Sequence, residues 1–155
     1  MSLVRRARPE DAPECLRLRQ VMIDSMAGDP STDWHAASLP TLRARLAEPD
    51  AGFAAFVVER PAAPGRLAAL AAGTLEYRIG RAADPHGRVG HVFSVATDPD
   101  ARRRGHARAC MEELLAWFRA QGAAQVDLSA SAEAEPLYAS LGFVRKPDPS
   151  MRLLL

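Results

Sequence analysis

Apolar residues fall at helical spacing in two long stretches of this chain and cluster or alternate in several shorter ones between them. Ala12, Cys15, Leu16, Met22, Ile23 and Met26 share one helical face, and Pro9-Glu10-Asp11 precedes them with the proline and acidic residues that suit a first turn. Gly28-Asp29-Pro30 stops that pattern, so a helix is expected to about Met26. A second stripe, Ala107, Cys110, Met111, Leu114 and Phe118, predicts a helix from about Gly105 to Gln121, with Gly122 as its terminator. Leu39 to Ala47 and Glu133 to Leu141 read as shorter helices. Strands are expected at Val4 to Arg6, Phe53 to Glu59, within Leu67 to Ile79 around Thr74 to Tyr77, at Val89 to Thr97, at Gln125 to Ser129, at Gly142 to Lys146 and at Met151 to Leu155. The resulting order is β α α β β β α β α β β, with no repeat and no long linker.

Length and composition narrow the classes. A chain of 155 residues is the size of one domain, so residues 1–155 are expected to share one core. Hydrophobic and charged fractions of 48% and 25% are ordinary for a globular protein, and no apolar run approaches the roughly 20 residues of a membrane helix. Met1 to Arg8 lacks the apolar stretch and small-residue cleavage site of an export signal, so a cytoplasmic protein is expected. Cys15 and Cys110 both fall in apolar helical patterns, where a buried thiol acts as a small hydrophobe. A formal net charge of +1 supplies no global field for nucleic acid or anionic membrane, and neither is expected as a partner.

Local charge is different. Arg102-Arg103-Arg104-Gly105-His106-Ala107 joins the strand at 89–97 to the following helix. Free backbone N–H groups at a helix start, the helix dipole and the small residues Gly105 and Ala107 make this turn an anion site. Rival phosphate motifs are absent: there is no G-x-x-x-x-G-K-[ST], and no G-x-G-x-x-G follows a strand. The four histidines, at 35, 86, 91 and 106, form no H-E-x-x-H, so no metal is expected, and no G-x-S-x-G elbow is present.

Val95-Ala-Thr-Asp-Pro-Asp-Ala-Arg-Arg-Arg-Gly-His-Ala107 resembles the [QR]-x-x-G-x-[GA] signature of the GCN5-related N-acetyltransferases, set after a strand that ends in a proline turn. Ala134-Glu-Pro-Leu-Tyr-Ala-Ser-Leu-Gly-Phe143 is similar to that family's tyrosine-bearing helix and L-G-F segment, and the resemblance extends over essentially the whole chain. It implies an α/β fold with a mixed, mainly antiparallel sheet of six or seven strands, splayed centrally, with helices on both faces. It also implies acetyl-coenzyme A as cosubstrate. By position the pyrophosphate falls to Arg103, Arg104, Gly105, His106, Ala107 and Arg108, with Arg102 opening the motif. The pantetheine arm falls to Val95, Ala96 and Thr97, and Ser131 stands where many relatives have asparagine.

Direct transfer of acetyl from thioester to amine, as the resemblance implies, needs a neutral amine and a proton for the departing thiolate. Tyr138 suits the second need, since a phenol of pKa about 10 can protonate a thiolate whose thiol lies near 8.5. Glu76 and His91 are candidate bases, alongside water, and the segment around Asp33, Trp34 and His35 is expected to shape the acceptor pocket. The acceptor is a small-molecule or peptide amine of open identity, and the chain is a monomer or homodimer. A non-catalytic acetyl-CoA binding or sensing module is the alternative; it would keep the arginine turn and have no use for Tyr138.

Overall fold

The computed structural model describes residues 3–155; Met1 and Ser2, part of the stretch read for an export signal, lie outside them. Five strands form one sheet: β1 (Val4–Arg6), β2 (Phe53–Glu59), β3 (Leu67–Tyr77), β4 (Arg88–Thr97) and β5 (Gln125–Leu128). They lie in chain order, antiparallel from β1 to β4, with β5 parallel to β4. A parallel neighbour requires a crossover, and helix α3 (His106–Ala120) is that crossover. The other helices are α1 (Ala12–Ser25), α2 (Trp34–Ala47) and α4 (Glu135–Ser140), and two short 3-10 turns cover Pro9–Asp11 and Pro99–Ala101.

The sheet divides the core in two. Ala69, Ala71 and Val92 pack with Cys110, Met111, Leu114 and Phe118 of α3, while Val57, Leu70 and Ala72 pack with Cys15 and Leu18 of α1. β3 is buried along nearly its whole length, which is why it extends well beyond the run at Thr74 to Tyr77 that propensity alone marks. Its alanines are poor strand formers by propensity, but covering on both faces rewards small side chains that let two helical layers approach.

Gly73 and Gly90 take this furthest. A Cβ at Gly90 would sit 2.7 Å from a Phe118 ring carbon, and one at Gly73 would sit 2.8 Å from the same ring. The two glycines form the slot into which Phe118, 1% exposed, is pressed. Gly90→Ala is therefore expected to destabilise the fold by about 1–3 kcal/mol through overpacking. Urea unfolding reads this as a lowered midpoint at constant slope, and an unshifted midpoint would show that the ring relaxes freely.

Two expected strands do not form. Gly142 to Lys146 and Met151 to Leu155 are irregular, so the sheet has five strands rather than six or seven. Pro147 and Pro149 remove two backbone donors from this segment, and the four-residue β5 offers a short edge for pairing. Val144 and Leu153 are 85% and 82% exposed, so the apolar pattern here is not matched by burial. Helix α2 also begins at Trp34 rather than Leu39, with Pro40 inside it at the loss of one internal hydrogen bond.

Candidate active site

β4 ends at Thr97, Asp98 caps the 3-10 turn that follows, and Arg102 is extended. Arg103 and Gly105 then adopt positive φ angles of 63° and 79°, which fold the chain into the head of α3. Gly105 is the N-cap, and a Cβ there would meet nothing within 4 Å, so the space over the turn is open. The first internal bond of the helix runs from the Ala109 N–H to the Gly105 carbonyl at 3.0 Å. Among the described residues the N–H groups of Gly105, His106, Ala107 and Arg108 have no acceptor, which makes an anion cradle under the exposed guanidinium groups of Arg102, Arg103 and Arg104.

The turn is anchored from below by Asp98, whose carboxylate accepts from Arg17 at 2.8 Å and 2.9 Å and from Arg60 at 2.8 Å. Arg17 also donates to the Leu67 carbonyl at 3.0 Å and pairs with Glu14, whose carboxylate accepts the Leu67 N–H at 2.9 Å. α1, the start of β3 and the end of β4 are thus tied at one point. Burial pushes the Asp98 carboxyl up, but the arginine hydrogen bonds outweigh it and hold the group below the ordinary carboxylate range; Asp11 beside Arg5 and Glu14 beside Arg17 behave likewise. A depressed folded value contributes stability that is present above the unfolded pKa near 4 and is lost as pH falls through the folded value. Stability is therefore expected to hold from neutral pH to about 5 and to decline below about 4. Asp98→Asn should cost about 2 kcal/mol at pH 7 and flatten that decline. Chemical denaturation across pH measures both, and a variant with wild-type stability at pH 7 would remove Asp98 from this role.

The middle of β4 is irregular. Ala72 pairs with Ser94 and Gly73 with Val92, so Phe93 is an extra residue that makes a bulge. Its effect is to turn Phe93 and Ser94 toward the α1 side in succession: Phe93 lies 5.9 Å from the Phe53 ring, and Ser94 accepts a hydrogen bond from Arg19. Pairing with β5 stops at Val92–Leu128, just before the bulge. From Ser94 to Thr97, β4 is bonded to β3 alone, because β5 ends at Leu128, and its other edge is unpaired there.

A cavity of about 630 Å³ opens on the α1 side of the bulge, between α1, α2 and the strands. Phe93, Ser94, Thr74, Trp34, Arg19 and Arg45 are among its walls. Trp34 is held there by its Nε1–H, which donates to Gln20 at 2.9 Å, and by an edge contact with the His35 ring at 4.3 Å. Cys15 also lines the cavity, but burial pushes its thiol up to about 12, as it does for Cys110, so neither is a nucleophile at neutral pH.

Tyr138 lies on α4, 7% exposed, with its ring centroid 6.0 Å from that of Phe143. Its hydroxyl has no hydrogen-bond partner among the described residues, and burial raises its pKa, so the phenol stays protonated. Arg108 of the cradle donates to Ser140 of the same helix, which links the anion turn to the tyrosine. Ser131 is exposed and its hydroxyl accepts the Ala134 N–H at 3.2 Å, a turn that leads into α4. Glu76 is half-buried, pairs with Arg78 at 2.9 Å and is not a wall of the cavity. His91 is half-buried at the register position opposite Thr74, which does line it. Arg19, Arg45 and Phe93 are site residues that the sequence reading passed over. A signal existed for one of them: Arg19 stands four residues after Cys15 and three after Leu16, in register with the apolar stripe of α1.

A family profile described as the acetyltransferase (GNAT) family matches residues 19–143. The chain belongs to the acetyltransferase (GNAT) family. That match bears out the resemblance carried by the arginine turn and the tyrosine helix. Over 90 residues this GNAT chain is 38% identical to glucosamine 6-phosphate N-acetyltransferase 1 of rice, Oryza sativa subsp. japonica, a match covering 58% of the chain and 53% of the rice protein. It therefore spans about half the length of that curated relative. Among solved structures, a predicted acetyltransferase with acetyl-CoA from Clostridium acetobutylicum superposes at a TM-score of 0.83 with 18% identity, over 97% of this chain and 94% of that one. An acetyltransferase of Trypanosoma brucei gives 0.72 with 27% identity over 98% of each chain. The GNAT fold is thereby established, with five strands in this member. No helix among the described residues of this GNAT chain is long and apolar enough to cross a membrane.

Proposed function

We propose that residues 1–155 act as one N-acetyltransferase domain that moves the acetyl group of acetyl-CoA directly to a primary amine. One observation carries the reading: the unbonded N–H groups of Gly105 to Arg108 continue from the free edge of β4 at Ser94 to Thr97. A pyrophosphate fits the first feature, with Arg102, Arg103 and Arg104 around it, and an amide-bearing arm fits the second by adding to the strand edge at Val95, Ala96 and Thr97. Gly105 leaves the approach to those amides open. Ser131, already occupied as the acceptor of the Ala134 N–H, has a lone pair left for the arm.

Acetyl-CoA supplies the activated acyl group as a thioester. The chain's part is to hold it, admit the amine and protonate the thiolate. Tyr138 takes the last role, with a phenol that burial keeps protonated and an uncommitted hydroxyl. Arg19 and Arg45 give the cavity positive potential, which favours a neutral amine over its ammonium form. For the remaining proton we prefer His91 or water over Glu76, because Glu76 is engaged by Arg78, whereas His91 stands opposite Thr74 of the cavity wall.

The acceptor is a small-molecule or peptide amine, and glucosamine 6-phosphate, for which the rice relative is named, is the first to try. A cytoplasmic setting suits the two free thiols, Cys15 and Cys110. Calorimetric titration with acetyl-CoA is expected to give one site per chain. An absence of heat up to millimolar cosubstrate would remove the arginine turn from the argument.

A further inference from the structure

The cavity beside the bulge has a charge pattern that acetyl transfer alone does not call for. Its walls include Arg19 and Arg45 but no aspartate or glutamate. Elsewhere the chain neutralises guanidinium groups of similar burial: Arg5, Arg17 and Arg60 each meet a carboxylate at 2.7–2.8 Å. Arg19 does not. It donates through Nη1 alone, to the Phe93 carbonyl at 3.4 Å and to the Ser94 hydroxyl, both neutral acceptors. Its guanidinium carbon also lies 5.9 Å from the Phe93 ring centroid, a cation–π contact that adds to the two hydrogen bonds in holding the group.

The acidic residues on the same helix and the turn before it are engaged with other partners. Asp11 is held by Arg5, Glu14 by Arg17 and the Leu67 N–H, and Asp24 accepts from Gln20 at 2.9 Å. Nε and Nη2 of Arg19 therefore have no acceptor among the described residues, yet they are not sealed from solvent. An immobilised guanidinium with two free donors is preorganised for a planar or tetrahedral oxyanion, which it can take through two parallel N–H bonds. Arg45, exposed and without an ion pair among the described residues, adds a second positive charge to the same wall.

We propose that the acceptor amine carries its own anionic group, a carboxylate or a phosphate, and that Arg19 is the residue that selects it. The proposal rests on the acetyltransferase reading above and narrows it. The cavity discriminates in the opposite direction against polyamines and other polycations, which would place like charge beside two unneutralised arginines.

Matched amine pairs differing in one anionic group test this: O-phosphoethanolamine against ethanolamine and glucosamine 6-phosphate against glucosamine for phosphate, phenylalanine against phenethylamine for carboxylate, with spermidine as the polycation. In amine-dependent thiol release the anionic member of at least one pair is expected to lead in kcat/KM by 10-fold or more, and the pair that does so identifies the anion. Arg19→Gln should reduce that ratio about 10- to 100-fold, the range for losing a hydrogen bond to a charged group. Arg19→Lys should recover part of it, and Arg45→Gln, at an exposed position, should reduce it less. Equal rates within every pair, a preference for spermidine, or an Arg19→Gln ratio equal to that of the wild type would overturn the proposal. So would a parallel loss of acetyl-CoA affinity in Arg19→Gln, which would assign the residue to the cosubstrate. If no amine turns over, the acetyltransferase reading fails separately. Calorimetric binding of the anionic amines then decides the present point: binding that Arg19→Gln abolishes supports it, and none in the wild type overturns it.

Discussion

Tyr138→Phe is expected to lower kcat by about 10²- to 10³-fold while leaving the acetyl-CoA dissociation constant within about 2-fold of the wild type, because it removes one proton donor and nothing else. The ring stays, so its contact with Phe143 and its place in the core on the α3 side are kept, and stability should change little. The hydroxyl it removes has no partner among the described residues, so no buried polar group is orphaned. Direction also matters: burial raises the phenol's pKa, so the donor stays protonated through the neutral range, and loss of rate by deprotonation should begin only at alkaline pH. Steady-state kinetics with a saturating amine, together with calorimetry, reads both halves. Full activity in the variant would leave Tyr138 as a packing residue.

Gly105→Val acts on the other substrate-binding element and should raise the acetyl-CoA dissociation constant by 10-fold or more. Two effects combine. Gly105 has a φ of 79°, a conformation that costs an L residue roughly 1–2 kcal/mol and a β-branched residue more. The added side chain would also project into the open space above the unbonded N–H groups, where an anion must approach. Gly65→Ala separates the two: Gly65 has a φ of 86° and the same open surroundings, in the turn between β2 and β3. That control should lose stability and retain affinity. An unchanged dissociation constant for Gly105→Val would contradict the pyrophosphate assignment.

Much of this architecture was legible because the relevant signals are local. The stripe from Ala107 to Phe118 predicts α3 to within a residue or two, and the β-branched run at Val89 to Thr97 predicts β4, since period and propensity agree in both. The arginine turn could be read as an anion site because helix geometry alone leaves its first N–H groups unbonded. What escaped the sequence depends on partners remote in the chain. The final strands looked apolar enough to pair, but Pro147 and Pro149 break the donor series and the short edge of β5 leaves them unpaired. Helix α2 takes in Trp34 to Ser38 despite Pro40, because Gln20 on α1 fixes Trp34 at its start. Phe93 gave no sign of being a bulge residue, since that is a property of register with β3 rather than of residue type. Glu76 drew attention as a carboxylate on a strand before the site, and its pairing with Arg78 and its absence from the cavity walls are properties of the folded chain that residue type does not announce.

Release of free thiol from acetyl-CoA by the purified chain, measured with and without each member of an amine panel, tests the central claim most directly. The account predicts release that depends on the amine, saturates with it and yields one acetylated amine per thiol. Tight binding of acetyl-CoA with no amine-dependent release across the panel would contradict it and leave a chain that binds acetyl-CoA without transferring its acetyl group.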